Sequence, residues 1–255
     1  MTKYKFYLII SFSLLFQSVI PAQNDWQLLG LENLSIEYVF AKGDTIWTGT
    51  VDSTYKYSIY YSFTGGVEWS QVTDTSSLID GWLNLLRVDP NNSLTIYANT
   101  FNGRGLKSRN GGKNWEYIFP EAEPWPERTR VKQLYISPHN QNVLFSIVTV
   151  SQLDKLYRTT NGGVTWEDLG SFVASSHGNE LSFAFDPIDS MRMYIAADDN
   201  YLNSIFFASY DFGETWSALS ELSNFASKII VDWNNNNIIY RFRKPYRSID
   251  GGFTW

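Results

Sequence analysis

The chain has 255 residues, 20 basic against 26 acidic, a formal net charge of −6 and no cysteine. That balance carries no basic stripe and gives no support to nucleic-acid binding, while the lack of thiols excludes a disulfide scaffold and a lipidated cysteine. Aromatic residues make up 17% of the chain, enough large side chains to fill an extensive core.

The first predicted element is a leader. Lys3 and Lys5 precede a mostly apolar run from Phe6 to Ile20, and the small residue Ala22 follows. This pattern predicts a secretory signal peptide over residues 1–22 and a mature domain over 23–255. The rival is an uncleaved anchor, but about 15 apolar residues interrupted by Ser and Gln are short for a span, so no stable membrane span is expected after cleavage. Export without disulfides fits a secreted or cell-envelope protein of a bacterium.

From Leu83 the chain repeats one outline. LNLLRVDPNN (83–92), KQLYISPHNQ (132–141), LSFAFDPIDS (181–190) and KIIVDWNNNN (228–237) each predict an apolar strand that runs into a polar turn. A second strand follows in each (LTIYANT, VLFSIVTV, RMYIAAD, IIYRFRK), and then a third (GLKS, KLYRT, IFFAS, PYRS). The fourth is expected to start at a Trp, as in WEYIF and WEDLG, and the early segment WQLLG (Trp26 to Gly30) has the same look. Short β-branched and aromatic runs punctuated by Asn, Asp, Gly and Pro argue for an all-β array without crossover helices.

Each third strand enters a segment that ends in Trp. The five copies are SFTGGVEW (Ser62 to Trp69), SRNGGKNW (Ser108 to Trp115), TTNGGVTW (Thr159 to Trp166), SYDFGETW (Ser209 to Trp216) and SIDGGFTW (Ser248 to Trp255). The shared positions are a hydroxyl at Ser62, Ser108, Thr159, Ser209 and Ser248, an amide or carboxylate at Asn110, Asn161, Asp211 and Asp250, and glycine at Gly66, Gly112, Gly163, Gly213 and Gly252. The residue types suit a tight hairpin: Asp or Asn accepts turn amides, Gly takes a positive φ, and Trp buries its ring under the turn. A repeat of about 40 to 50 residues with strand patterning predicts propeller blades of four antiparallel strands.

The eight-residue segment is the Asp-box pattern S-x-D-x-G-x-T-W. From Ile36 to the end the chain resembles the Asp-box (bacterial neuraminidase repeat) β-propellers, with a unit layout similar to sortilin-like and photosystem-assembly-factor-like propellers. The first copy departs from the pattern at Thr64 and Glu68 and the second at Asn110 and Asn114, so the first turn is expected to be held less firmly. The expected architecture is about five blades in an incomplete ring, four nearly complete and a fifth of three strands. A compact five-blade ring closed by Trp26 is the alternative.

The resemblance implies that the boxes lie on one face and that ligands bind on the other. The candidate face then carries Asp52, Tyr55, Asp80, Trp82, Asn102, Arg104, the segment from Glu121 to Arg130, His177, Glu180, Asp198 to Tyr201, and Arg243 to Tyr246. The binding residues singled out are Trp125, Arg128, Arg130, Asp198, Asp199, Tyr201 and Arg104. Trp125 stands between prolines in PEAEPWPERTR and suits stacking on a sugar or peptide, with packing on a neighbouring blade as the plain alternative. Asp198 and Asp199 offer paired carboxylates or an ordinary solvated turn. DWNNNN begins like a calcium loop but has Arg243 where a bidentate Glu belongs, so a turn is expected there. His139 and His177 stand apart from metal-ligand spacing, and no metal or cofactor is expected.

For function, the resemblance raises two classes. The sialidase-type Arg motif and the Gly-rich opening strand of endo-glucanase relatives are absent, and no Gly-x-Ser-x-Gly, HExxH or phosphate loop is present. The favoured expectation is therefore a non-catalytic module that binds an extracellular protein or polysaccharide. The alternative is a glycoside hydrolase using two carboxylates, with Asp80 and Asp198 as an imaginable pair.

Overall fold

The computed structural model describes residues 30–53, 57–72, 83–100, 103–119, 129–150, 153–171, 181–198, 203–223, 228–242 and 245–255. Among them there are strands and turns and no helix, hence no helix long and apolar enough to cross a membrane. The leader and most of WQLLG lie outside the described residues.

Five antiparallel sheets follow one another along the chain. The first holds β1 (Ser35–Lys42), β2 (Thr45–Val51), β3 (Tyr57–Ser62) and β4 (Ser70–Gln71). The second holds β5 (Leu83–Asp89), β6 (Asn92–Thr100), β7 (Gly105–Ser108) and β8 (Glu116–Tyr117). The third is β9 (Arg130–Ile136), β10 (Leu144–Val150), β11 (Leu153–Thr159) and β12 (Glu167–Ser171). The fourth is β13 (Ser182–Phe185), β14 (Met193–Asp198), β15 (Asn203–Ser209) and β16 (Ser217–Ser223), and the fifth is β17 (Ile229–Val231), β18 (Ile239–Arg241) and β19 (Tyr246–Ser248). In every sheet the strands pair in chain order. This is the expected arrangement of propeller blades, four of four strands and one of three, and the described residues form no closed ring.

The first of the expected blades contains the FAKGDTIW hairpin, which pairs Phe40 with Trp47. One detail differs from the sequence reading. Fourth strands start one residue after the box Trp, at Ser70, Glu116, Glu167 and Ser217. The Trp itself is turned toward a neighbouring sheet instead of joining the ladder: Trp166 donates its indole N–H to the carbonyl of Ile118, and Trp255 donates to Ser220 Oγ at 3.0 Å.

First strands lie beside one another, β1 by β5, β5 by β9 and β13 by β17. The core is accordingly divided among the seams between sheets. Trp47 and Ile59 of the first sheet pack with Val88, Ile96, Leu106 and Trp115 of the second. Phe145 and Leu156 of the third pack with Phe183, Met193 and Ile195 of the fourth, where Phe145 stacks on Phe183 with centroids 5.1 Å apart. Tyr194 and Phe206 of the fourth pack with Ile229 and Ile239 of the fifth. Each such buried side chain contributes on the order of 1.5–3 kcal/mol, so the seams hold adjacent sheets together.

Candidate functional site

The two ends of the sheets are chemically different. At one end each box turn is hydrogen-bonded to the turn joining strands one and two of the same sheet. The bonds run from Gly65 N–H to Asp44 O, Gly111 to Leu94, Gly162 to Asn142, Phe212 to Met191 and Gly251 to Asn237, all between 2.8 and 2.9 Å. Because strands alternate in direction, second and fourth strands end, and third strands begin, at the opposite end, the loop end.

Within the box the hydroxyl is the central acceptor. Ser62, Ser108, Thr159, Ser209 and Ser248 are buried, and each oxygen accepts the N–H of the glycine four residues on, Gly66, Gly112, Gly163, Gly213 and Gly252, at 2.7 to 3.1 Å. Asn110, Asn161, Asp211 and Asp250 each accept the N–H four residues further on at 2.9 or 3.0 Å, and Thr64 does the same in the first box. The first turn therefore keeps the backbone bonds. It lacks the extra hydroxyl-to-carboxylate bond that joins Thr215 to Asp211 and Thr254 to Asp250. Hydrogen bonds from Thr215 and Thr254 hold the Asp211 and Asp250 carboxyls down at about 2. Trp115 is buried, whereas its counterparts Trp69, Trp166, Trp216 and Trp255 are half-buried.

Charged side chains fasten the third and fourth boxes, each to the sheet before it. Lys107 of β7, buried, donates to Gly162 O at 2.9 Å, and burial pulls its amine below the ordinary lysine value. Arg158 of β11 holds the equivalent place, donating to Phe212 O at 2.7 Å and to Glu167 and Glu214 at 2.6 and 2.5 Å. Burial lowers its pKa, and the two carboxylates outweigh that and raise it.

At the loop end, two of the sequence-chosen residues meet. Arg104 donates to Tyr117 Oη at 2.7 Å with its guanidinium 5.3 Å from that ring, and Thr100 Oγ1 accepts the Arg104 N–H at 3.2 Å. Beside it Gly103, at φ +84°, lies so close to Arg130 that a Cβ would come 2.7 Å from the Arg130 Cα. Val131 N–H donates to Gly103 O at 2.9 Å, and the buried Asn99 amide donates to Val131 O at 2.6 Å, locking the second sheet's loop onto the start of β9. Arg104 and Arg130 thus share one corner between the second and third sheets. Lys132 and Asp154 follow along the third sheet, paired at 2.8 Å, with Thr149 donating to the same carboxylate at 2.6 Å.

Asp198 ends β14, the second strand of the fourth sheet, at this loop end. Trp125, Arg128, Asp199 and Tyr201 lie outside the described residues, as do Tyr55, Asp80, Trp82, Asn102, His177, Glu180 and Arg243. The DWNNNN segment is a turn, with Asp232 Oδ1 accepting the N–H groups of Asn234 and Asn235. His139 bonds the Asp186 carbonyl at 2.8 Å, a link between the third and fourth sheets. No group of three His, Cys, Asp or Glu that could hold a metal occurs among the described residues.

Arg87 is a position the sequence reading passed over. It stands on β5, half-buried; burial lowers its pKa, and the phenols of Tyr135 on β9 and Tyr38 on β1 oppose that. An arginine inside the apolar run LNLLRVD was the available signal. A cavity of about 200 Å³ lies at the seam of the fourth and fifth sheets, with the Arg241 guanidinium 4.2 Å from the Tyr246 ring. It is smaller than pockets that enclose small organic ligands.

The fold defines the class: an all-β protein with the blades of a β-propeller. No protein-family model matches the chain. A xyloglucanase of Hypocrea jecorina (strain QM6a) is 24% identical over 196 residues, which is 62% of this chain and 23% of that protein. The GH74 xyloglucanase of Xanthomonas campestris superposes with a TM-score of 0.63 at 13% identity, covering 88% of this chain and 37% of the enzyme. YCF48 bound to a D1 peptide superposes at 0.60 with 20% identity, covering 91% of this chain and 70% of that one. The chain thus spans about a quarter of the curated relative and little more than a third of the GH74 enzyme.

These findings correct the expectation of a non-catalytic module. The relative detected by sequence is a glycoside hydrolase by name, and similar folds include GH74 enzymes. The expectation rested on missing sialidase and endo-glucanase signatures. Catalytic groups on a propeller sit in loops that the repeat does not encode, so missing signatures carry little weight against an enzyme.

Proposed function

We propose that this chain is part of a β-glucan-degrading glycoside hydrolase whose polymer lies across the loop end of the sheets. The observation that carries the reading is the sequence similarity to a xyloglucanase over 196 residues. On this reading Arg104 and Arg130, with Trp125, Arg128, Asp198, Asp199 and Tyr201, line the sugar path. Trp125 stacks on a ring, and the arginines donate hydrogen bonds to hydroxyls. Asp80 and Asp198 are the carboxylates assigned to acid and base in hydrolysis by water. The eight-residue turns are Asp boxes that serve the scaffold. A leader over 1–22 suits the reading, because a polysaccharide of this size is met outside the cell.

The test is calorimetric titration of the chain with xyloglucan oligosaccharides, followed by release of reducing ends from the polymer. Binding is expected, weakened about tenfold by Arg104→Ala, which is the loss of roughly one charged hydrogen bond. Reducing-end release should disappear in Asp80→Asn and in Asp198→Asn. A well-folded chain that neither binds nor cleaves any β-glucan overturns the proposal.

A further inference from the structure

The turns joining strands one and two repeat bond for bond. Asp186 N–H donates to Arg192 O and Arg192 N–H to Asp189 O; Asp232 to Ile238 and Ile238 to Asn235 copy this, as do Ser137 to Val143 and Val143 to Asn140. The side-chain bonds match too: Asp186 Oδ1 accepts from Ile188 and Asp189, and Asp232 Oδ1 from Asn234 and Asn235. Within this constant frame the second residue is Pro90, Pro138 and Pro187 in the second, third and fourth sheets. In the fifth it is Trp233, 68% exposed.

A proline here stiffens the turn, and the fold needs nothing larger. An indole held in water at the tip of a rigid turn forgoes the burial that normally retains tryptophan in a sequence. Asn234, Asn235 and Asn237 are exposed amides, and Ile249 at the same end of the sheet is 65% exposed. The charges at this end are engaged: Asp232 and Asp250 accept amides of their own turns, and Arg192, near Gly251, lies over the Tyr194 and Tyr210 rings. An exposed aromatic plane followed in the chain by neutral amides complements a neutral sugar polymer, whose pyranose faces are apolar and whose hydroxyls pair with amides.

From this we infer that Trp233, with Asn234 and Asn235, is a glycan-stacking platform at the box end of the fifth sheet, separate from the loop end, that takes a neutral β-glucan chain. The inference rests on the glucan reading above for the identity of the sugar. The platform tethers polymer and does no chemistry.

The test is affinity electrophoresis of the full chain through gels containing soluble xyloglucan or, as a charged control, polygalacturonate. Trp233→Pro installs the residue that three other turns use, so its urea midpoint should equal or exceed that of the unaltered chain. Its retardation by xyloglucan should fall about tenfold in apparent affinity, as expected for one lost stacking contact, with release of reducing ends from short oligosaccharides unchanged. Retardation equal to the unaltered chain overturns the platform and leaves the loop-end reading standing. A chain not retarded by xyloglucan overturns the platform, and the oligosaccharide titration then decides the loop end separately. Retardation by polygalacturonate that Trp233→Pro abolishes would also overturn it, since the surface would then be selecting a polyanion.

Discussion

The smallest unit that explains this protein is a buried hydroxyl. Ser209 Oγ, 1% exposed as a residue, accepts the Gly213 N–H at 2.8 Å and donates to Asp211 Oδ1 at 2.8 Å, so one atom satisfies a turn amide and orients the carboxylate. Ser209→Ala leaves that amide buried and unbonded, and should lower the unfolding free energy by about 1–3 kcal/mol in urea titrations. The carboxylates add a pH dependence. Asp211 and Asp250 have folded pKa values of about 2, held down first by their Thr215 and Thr254 hydroxyls, below the ordinary carboxyl value of about 3.9. A depressed folded value means that the unfolded chain binds protons first. The contribution is therefore complete above about pH 4 and is lost as the pH falls toward 2. Asn110 and Asn161 make the same bond to the amide four residues on without titrating. Asp211→Asn with Asp250→Asn should accordingly flatten the urea midpoint between pH 4 and 2, and an unchanged slope would refute the assignment.

At the scale of the element, the box is a hairpin and also the contact by which one sheet sits on the one before. The glycine three before each Trp shows both demands. Gly112 would put a Cβ 3.1 Å from Val72, Gly163 3.0 Å from Ile118 and Gly213 3.1 Å from Phe145, in each case a residue of the preceding sheet. At Gly252, φ is +97° and a Cβ would overlap the Phe206 ring. Gly43 has φ +57° with nothing within 4 Å, so it meets the backbone demand alone. Gly43→Ala should cost about 1–2 kcal/mol for the left-handed conformation. Gly252→Ala should cost roughly 1–3 kcal/mol more for overpacking, and equal losses in chemical denaturation would show that the seam is not tightly packed there. The hairpin chemistry was legible in the sequence because the box contains its own bonding partners within eight residues. The role of the hydroxyl as central acceptor was less so, since Ser and Thr occupy many turns for weaker reasons.

For the whole molecule, stability resides between sheets, as in other repeat architectures. The second, third and fourth sheets each have a described neighbour on both sides, and the first and fifth on one. In hydrogen exchange, β10 and β14, whose Leu144, Ile195 and Ala196 are fully buried, should be the slowest, and β1 and β18 faster. Uniform protection would argue against a chain of nearest-neighbour seams. The same organisation separates a loop end carrying Arg104 and Arg130 from a box end carrying Trp233. The amino-acid sequence alone determined the β content, the four-strand unit and the turns, because each depends on residues close in the chain. Only the tertiary structure decided that Lys107 caps Gly162 and Arg158 caps Phe212, partners 55 and 54 residues apart, or that Gly103 packs against Arg130. It also set Trp233 in water while the box tryptophans are at least partly covered. A local pattern specifies its own turn, whereas exposure and partnership across a seam exist only once neighbouring sheets have packed.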